Sequence, residues 1–176
     1  MTKRVRLFSV FLLVVLAAAQ TTPLMPTIEG ESLTGSKVSL PEAAKGKVAV
    51  LVFGFTKASK TATSAWADRL LADFVAQNGF ALYQLPVLES VPGFIRGMVI
   101  SSMKKGVPGN MQDHFVPILH GEAELKRLVG YKEPDDAYLV VLDSGGNIIE
   151  QRRGPFNGAT YAQLRVDIQS QLSHQK

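Results

Sequence analysis

The chain has no cysteine among its 176 residues. That absence excludes a disulfide framework, thiol redox chemistry, thiolate-held metal and the cysteine that lipoprotein processing requires. Stability must therefore come from packing. Histidine is scarce, at three, and there is one tryptophan. Only one long apolar run is present, at 7–16, and it is short for a bilayer span. A strong excess of one charge is missing too. The net charge is +4, but Lys3, Arg4 and Arg6 precede the apolar run, and 19 cations less these 3 leave 16 against 15 acids. No basic block is interleaved with aromatics, so nucleic acid is not an expected partner. No Gly-x-Ser-x-Gly elbow surrounds Ser101, Ser102 or Ser173, which argues against a hydrolase.

What is present begins with a secretory pattern. Three early cations, an apolar stretch and Ala17-Ala18-Ala19 before Gln20 read as a signal peptide over 1–19. An uncleaved anchor is the alternative, and it is the only route by which membrane contact is expected. Export to the periplasm or the exterior follows. Residues 20–33, rich in Thr and Pro, read as a linker, and 34–176 as one domain.

Periodicity then sets the elements. Residues 36–40 alternate and suggest a short edge strand. Residues 47–55 form a near-continuous β-branched and aromatic stretch, expected of a buried central strand. Trp66, Leu70 and Phe74 recur every four residues and predict a helix over 62–77, ended by Asn78-Gly79. A second strand is predicted over 80–88, with Pro86 near its end. Phe94, Ile95, Met98, Val99, Ser102 and Met103 suggest one face of a helix closed by Lys104-Lys105-Gly106. Residues 107–110 read as a turn, 115–119 as a short strand and 122–129 as a short helix. Residues 137–142 and 147–152 flank an Asp143-Ser144-Gly145-Gly146 turn and predict an antiparallel hairpin. Tyr161, Leu164, Ile168 and Leu172 mark a terminal helix.

Two stretches, Val48 to Trp66 and Ala137 to Gly154, resemble the thioredoxin superfamily. The resemblance implies an α/β fold: a thioredoxin-like three-layer α/β/α sandwich with a mixed central sheet and a helical insertion between 90 and 133. On the thioredoxin pattern, Ala58 and Thr61 stand where the two cysteines would fall. A peroxiredoxin-like reading from Thr56 puts Ser59 at the peroxidatic position. Ala137 stands where the superfamily carries a substrate-clamping proline. Redox activity is argued against on both counts. A narrower set of motifs is similar to the mitochondrial ATPase assembly factor ten family and its exported bacterial relatives. These are Gly54-Phe55-Thr56 through Trp66, Tyr83-Gln84-Leu85-Pro86-Val87, Gly97-Met98 through Lys104-Lys105-Gly106, Gly130-Tyr131-Lys132 leading to Ala137-Tyr138-Leu139 through Asp143, and Gly154-Pro155-Phe156. That likeness implies an assembly or chaperone role without catalysis.

Several constellations carry competing readings. Residues 54–61 read Gly-x4-Ser-Lys-Thr after a strand and before a helix, one glycine short of a phosphate-binding loop. A phosphate- or nucleotide-binding enzyme using Lys60, Thr61 and Asp143 is therefore the alternative function. A solvated turn capped by Ser59 or Thr61 is the plainer account. Between these, Lys57, Lys60 and the helix start could hold a partner's carboxylate or phosphate. His114, His120, Asp113 and Glu122 could suggest a metal site, but their spacing matches no helical pair. Trp66 and the Met98/Met103 stripe read as core, or, if the methionines are exposed, as an adaptable binding surface. Arg96, Lys104, Lys105 and Arg152-Arg153 read as a solvated face or as a patch for an acidic partner or lipid headgroup. The expectation is a non-redox binding protein with no cofactor or metal, acting on a protein of the cell envelope. The candidate contact residues are Thr56, Lys57, Ser59, Lys60, Thr61, Arg96, Lys104 and Lys105.

Overall fold

A computed structural model describes residues 25–174. The predicted signal segment lies outside them. Strand β1 (Ile28–Glu31) pairs antiparallel with β2 (Lys37–Leu40) in a separate two-stranded ribbon. The second half of the stretch read as a linker is therefore structured, and Met25, Ile28 and Leu33 are buried. Its apolar residues are too sparse to show a period. They are held by tertiary packing instead, so tightly that a side chain at Gly30 would come within 2.6 Å of Val116.

The main sheet contains β3 (Val48–Gly54), β4 (Phe80–Pro86), β5 (Ala137–Leu142) and β6 (Ile148–Gly154). Their spatial order is β4-β3-β5-β6. β3 runs parallel to β4 and antiparallel to β5, and β6 returns antiparallel to β5. β3 and β5 are buried along their whole length, which is why both read as unbroken apolar runs. Pro86 ends β4 at an edge, where its missing N–H breaks no ladder.

The sheet divides the core in two. On one face Val48, Val50, Val52, Leu139 and Val141 meet Trp66, Leu70 and Phe74 of α1 (Lys60–Phe74). Tyr161, Leu164 and Ile168 of α4 (Gly158–His174) complete that layer. On the other face Leu51, Phe53, Tyr138 and Val140 pack on Ile28, Leu40, Val116 and Ile118. Leu125 of α3 (Glu122–Leu128) and Val129 close this side. This is the expected three-layer arrangement with a mixed sheet.

Helix α1 stops at Phe74, short of the expected Asn78-Gly79 end, because no apolar position continues its buried stripe. Gly79, with φ 87°, instead turns the chain into β4. The stretch 115–119 is a strand only in part. It bridges β4 at Phe115 and Ile118, and Pro117 between them cannot donate to a ladder. The turn expected at 107–110 leads into a 3₁₀ segment, Gly109–His114.

The insertion helix α2 (Gly93–Gly106) departs most from expectation: none of its residues is fully buried. Ile95, Val99, Ile100 and Met103 are half-buried, while Phe94 and Met98 point to solvent. The six residues read as one face are thus split between two. At 100° per residue, Phe94 and Met103 lie on opposite sides of the helix. Among the described residues no helix is long and apolar enough to cross a membrane.

Candidate functional site

The turn between β3 and α1 is built from the strand outward. Phe55 leaves β3 buried, edge-on to Tyr131 at 5.1 Å and Tyr138 at 5.5 Å between ring centres. Thr56 then turns out, and its hydroxyl faces the Pro134 carbonyl at 3.0 Å and the Asp135 carboxylate at 3.3 Å. The same oxygen accepts the Ser59 N–H at 3.1 Å. Ser59 is only 1% exposed, and its hydroxyl donates to the Thr56 carbonyl at 2.8 Å. This inward turn needs Gly54 beneath it: a Cβ there would meet Ser59 Oγ at 2.6 Å and Thr63 Cγ2 at 3.1 Å.

The opposing loop is fixed as firmly. The Tyr138 hydroxyl accepts from the N–H groups of Lys132 and Glu133, both at 2.9 Å, and donates to the Glu133 carbonyl at 2.8 Å. The Lys126 ammonium lies 4.5 Å from the Tyr131 ring centre and is paired to Glu122 at 2.6 Å. That carboxyl sits below its ordinary range: burial pushes it up, but Lys126 and the Ser90 N–H outweigh this. Glu122 and Glu89 also exchange places as caps. Glu89 accepts the Glu122 N–H at 2.6 Å, and Glu122 accepts the Ser90 N–H at 3.1 Å.

The result is a rigid rim on which Lys57, Ala58, Lys60 and Thr61 are exposed. Helix α1 opens without an acidic residue in its first turn and without a side-chain cap. The Thr56 hydroxyl takes the Ser59 N–H and Asp135 stands beside it, while Lys57 and Lys60 add positive charge to the helix's positive end. The expected capping by Ser59 or Thr61 is absent because the Ser59 hydroxyl is held by its own turn. Ser59 is thus an internal brace, unreachable by a partner.

The eight candidate residues form two groups. Thr56, Lys57, Ser59, Lys60 and Thr61 sit at the C-terminal end of β3, and Arg96, Lys104 and Lys105 lie on α2. Arg96 folds back on the loop before its own helix, donating to the Val91 carbonyl at 2.7 Å and to that of Glu89. Lys104 and Lys105 are exposed.

The phosphate-loop constellation does not assemble. β5 runs antiparallel to β3, with Leu142 opposite Ala49 and Tyr138 opposite Phe53. Asp143 therefore lies at the far end of the sheet from Lys60 and Thr61, about 17 Å along the strands at 3.4 Å per residue. Its carboxylate accepts the N–H groups of Gly145 and Asn147. The histidine set scatters as well. His114 packs on Tyr83 at 4.8 Å, Asp113 accepts from Thr34 and Glu122 holds Lys126. No metal-binding group arises among the described residues.

Phe55, Tyr138 and the Pro134-Asp135 loop join this site only through the fold. The turn signal at Pro134-Asp135 was visible, but only β-sheet order brings it to Thr56.

No protein-family model matches the chain, and none of the curated proteins does. Solved structures do match in shape. BsSco, a member of the Sco family of cytochrome c oxidase assembly proteins, gives a TM-score of 0.60 at 14% identity, covering 87% of this chain and 95% of that one. A SCO1/SenC family lipoprotein from Bacillus anthracis gives 0.59 at 12% identity, covering 88% and 99%. A thiol-disulfide oxidoreductase from Bacteroides fragilis gives 0.57 at 16% identity, covering 82% and 98%. The fold is thioredoxin-like, and the chain is a cysteine-free example of it.

Proposed function

We propose that this chain is an exported, non-redox thioredoxin-like binding protein that acts as an assembly factor or chaperone for an envelope protein complex. The observation that carries this reading is the turn at the end of β3. The two positions that thioredoxins fill with cysteine are Ala58 and Thr61, and both are exposed. The turn that bears them is braced by Ser59 within and by the Pro134-Asp135 loop beside it. A surface kept rigid without its chemistry is suited to recognition, since little ordering cost remains to be met on binding. The likeness in fold to BsSco, a member of a family of cytochrome c oxidase assembly proteins, and the motif likeness to the assembly factor ten family support the same class of work. The exposed Lys57 and Lys60 at the positive end of α1 favour an acidic segment of the partner.

The test is affinity capture of the processed protein from its native envelope, beside a Lys57→Ala/Lys60→Ala variant. A reproducible partner retained by the parent and lost by the variant is the expected result. Capture of nothing by either sinks the reading. N-terminal sequencing of this chain recovered from the envelope checks its export, with a start at Gln20 expected for cleavage after residue 19.

A further inference from the structure

Helix α2 is apolar on both sides, and the domain covers only one. Ile95, Val99, Ile100 and Met103 turn toward the body. Phe94, 90% exposed, and Met98, 69% exposed, project from the other side. One and two turns further on follow Ser101 and Lys105, and the four residues fall within about 60° of arc. The ridge is open on its flanks: a Cβ built at Gly93 or Gly97 would meet nothing within 4 Å. From Ser90 to Gln112 the chain carries three cations and no acid. Arg96 is held by backbone carbonyls, while Lys104 and Lys105 have no salt-bridge partner among the described residues.

We propose that this ridge docks on an anionic lipid surface. Phe94 and Met98 enter the boundary between headgroups and acyl chains, and Lys104 and Lys105 meet the phosphates. Charge decides against a second copy of the chain, because two such ridges would bring cations against cations. Shape decides for lipid over a folded acidic partner. A convex ridge flanked by glycine and serine offers no groove, and only a surface that flows round it covers Phe94 fully. This contact is independent of the apolar stretch 7–16 and of the turn at 56–61. One short helix gives weak, reversible attachment, so it orients the domain at a membrane without holding it there alone.

The absence of cysteine makes the test clean. Met98→Cys in the full chain provides one attachment point for an environment-sensitive dye, and Val166→Cys on α4 provides the control. With vesicles containing phosphatidylglycerol the dye at 98 should shift to the blue and brighten. With phosphatidylcholine alone it should not, and high salt should reverse the change. The dye at 166 should stay silent. Adding Lys104→Glu/Lys105→Glu should weaken the vesicle titration by about tenfold or more, with an unchanged circular dichroism spectrum. Lys57→Ala/Lys60→Ala should leave it unaltered, which separates this result from the fate of the turn. Silence at 98, or an equal response to both lipids, overturns the proposal. So does a response to protein concentration alone, which would assign the ridge to a second copy. A response to polyglutamate without one to vesicles would assign it to an acidic polypeptide, also against the proposal.

Discussion

Helices α1 and α2 are nearly equal in length, at 15 and 14 residues, and follow consecutive strands of one sheet. α1 has four large apolar residues, Trp66, Leu70, Leu71 and Phe74; α2 has six, Phe94, Ile95, Met98, Val99, Ile100 and Met103. Yet α1 buries five residues fully and α2 buries none. Phase matters more than content. In α1 the large side chains share one stripe, so a single sheet face covers them all. In α2 they point two ways, so no single neighbour can. The first arrangement stabilises a fold, and the second leaves a face for something else.

That contrast is broken most severely by truncating each helix at its largest side chain. Trp66→Ala should cost about 3–5 kcal/mol, read as a fall in the denaturation midpoint. The Trp66 indole also donates to the Gly154 carbonyl at 3.1 Å, and that acceptor would be stranded. Phe94→Ala, by the same assay, should stay within about 0.5 kcal/mol. If the two variants lost equal stability, the exposed reading of α2 would be wrong.

The rim at the C-terminal end of β3 supplies the next effects. Tyr138→Phe removes one acceptor and one donor that together satisfy three backbone groups of the loop, and should cost about 1–3 kcal/mol. Amide exchange should quicken at Lys132 and Glu133 before it quickens in β5. Gly54→Ala should cost about 1–3 kcal/mol by overpacking against Ser59. The double variant Gly54→Ala/Ser59→Gly should recover part of that loss, because the obstructing hydroxymethyl is gone.

A smaller effect concerns how α2 is tied down. The Glu122 carboxyl is held below its ordinary range in the folded chain. Its contribution is therefore present above its unfolded value near pH 4.5 and lost as pH falls through the folded one. The pair with Lys126 is partly exposed, so the loss should be below about 1 kcal/mol. Glu122→Gln should flatten the stability-against-pH curve in that acid limb. An unchanged curve would remove Glu122 from the account.

How much of this was legible in the sequence follows from the same physics. β3 and β5 were plain because strands buried on both faces leave unbroken apolar runs. α1 was plain because its stripe has one phase. β1 was not, since Ile-Glu-Gly-Glu holds a single apolar residue and no alternation to read, whereas its partner β2 alternates. The site was half legible. Residues 54–61 announce a strand, a turn and a helix start, but nothing local says that Ser59 points inward; that depends on the missing Cβ at Gly54. Asp143 seemed available to Lys60 until the antiparallel direction of β5 put the two at opposite ends. Direction is a long-range property, and one chain read in order does not display it.

The crossed caps between Glu89 and Glu122 have a wider consequence. They join two points 33 residues apart in the chain, so α2 lies in a loop with a fastened base, whose returning limb puts Val116 and Ile118 back into the core. Closing such a loop costs little more when it lengthens, about 0.6 kcal/mol for each doubling. Insertions, deletions or wholesale replacement of the ridge would thus be felt weakly by the sheet. The molecule has the anatomy of a handle and an interchangeable bit. The sheet and its two core layers would then keep their packing while the exposed face of α2 is altered.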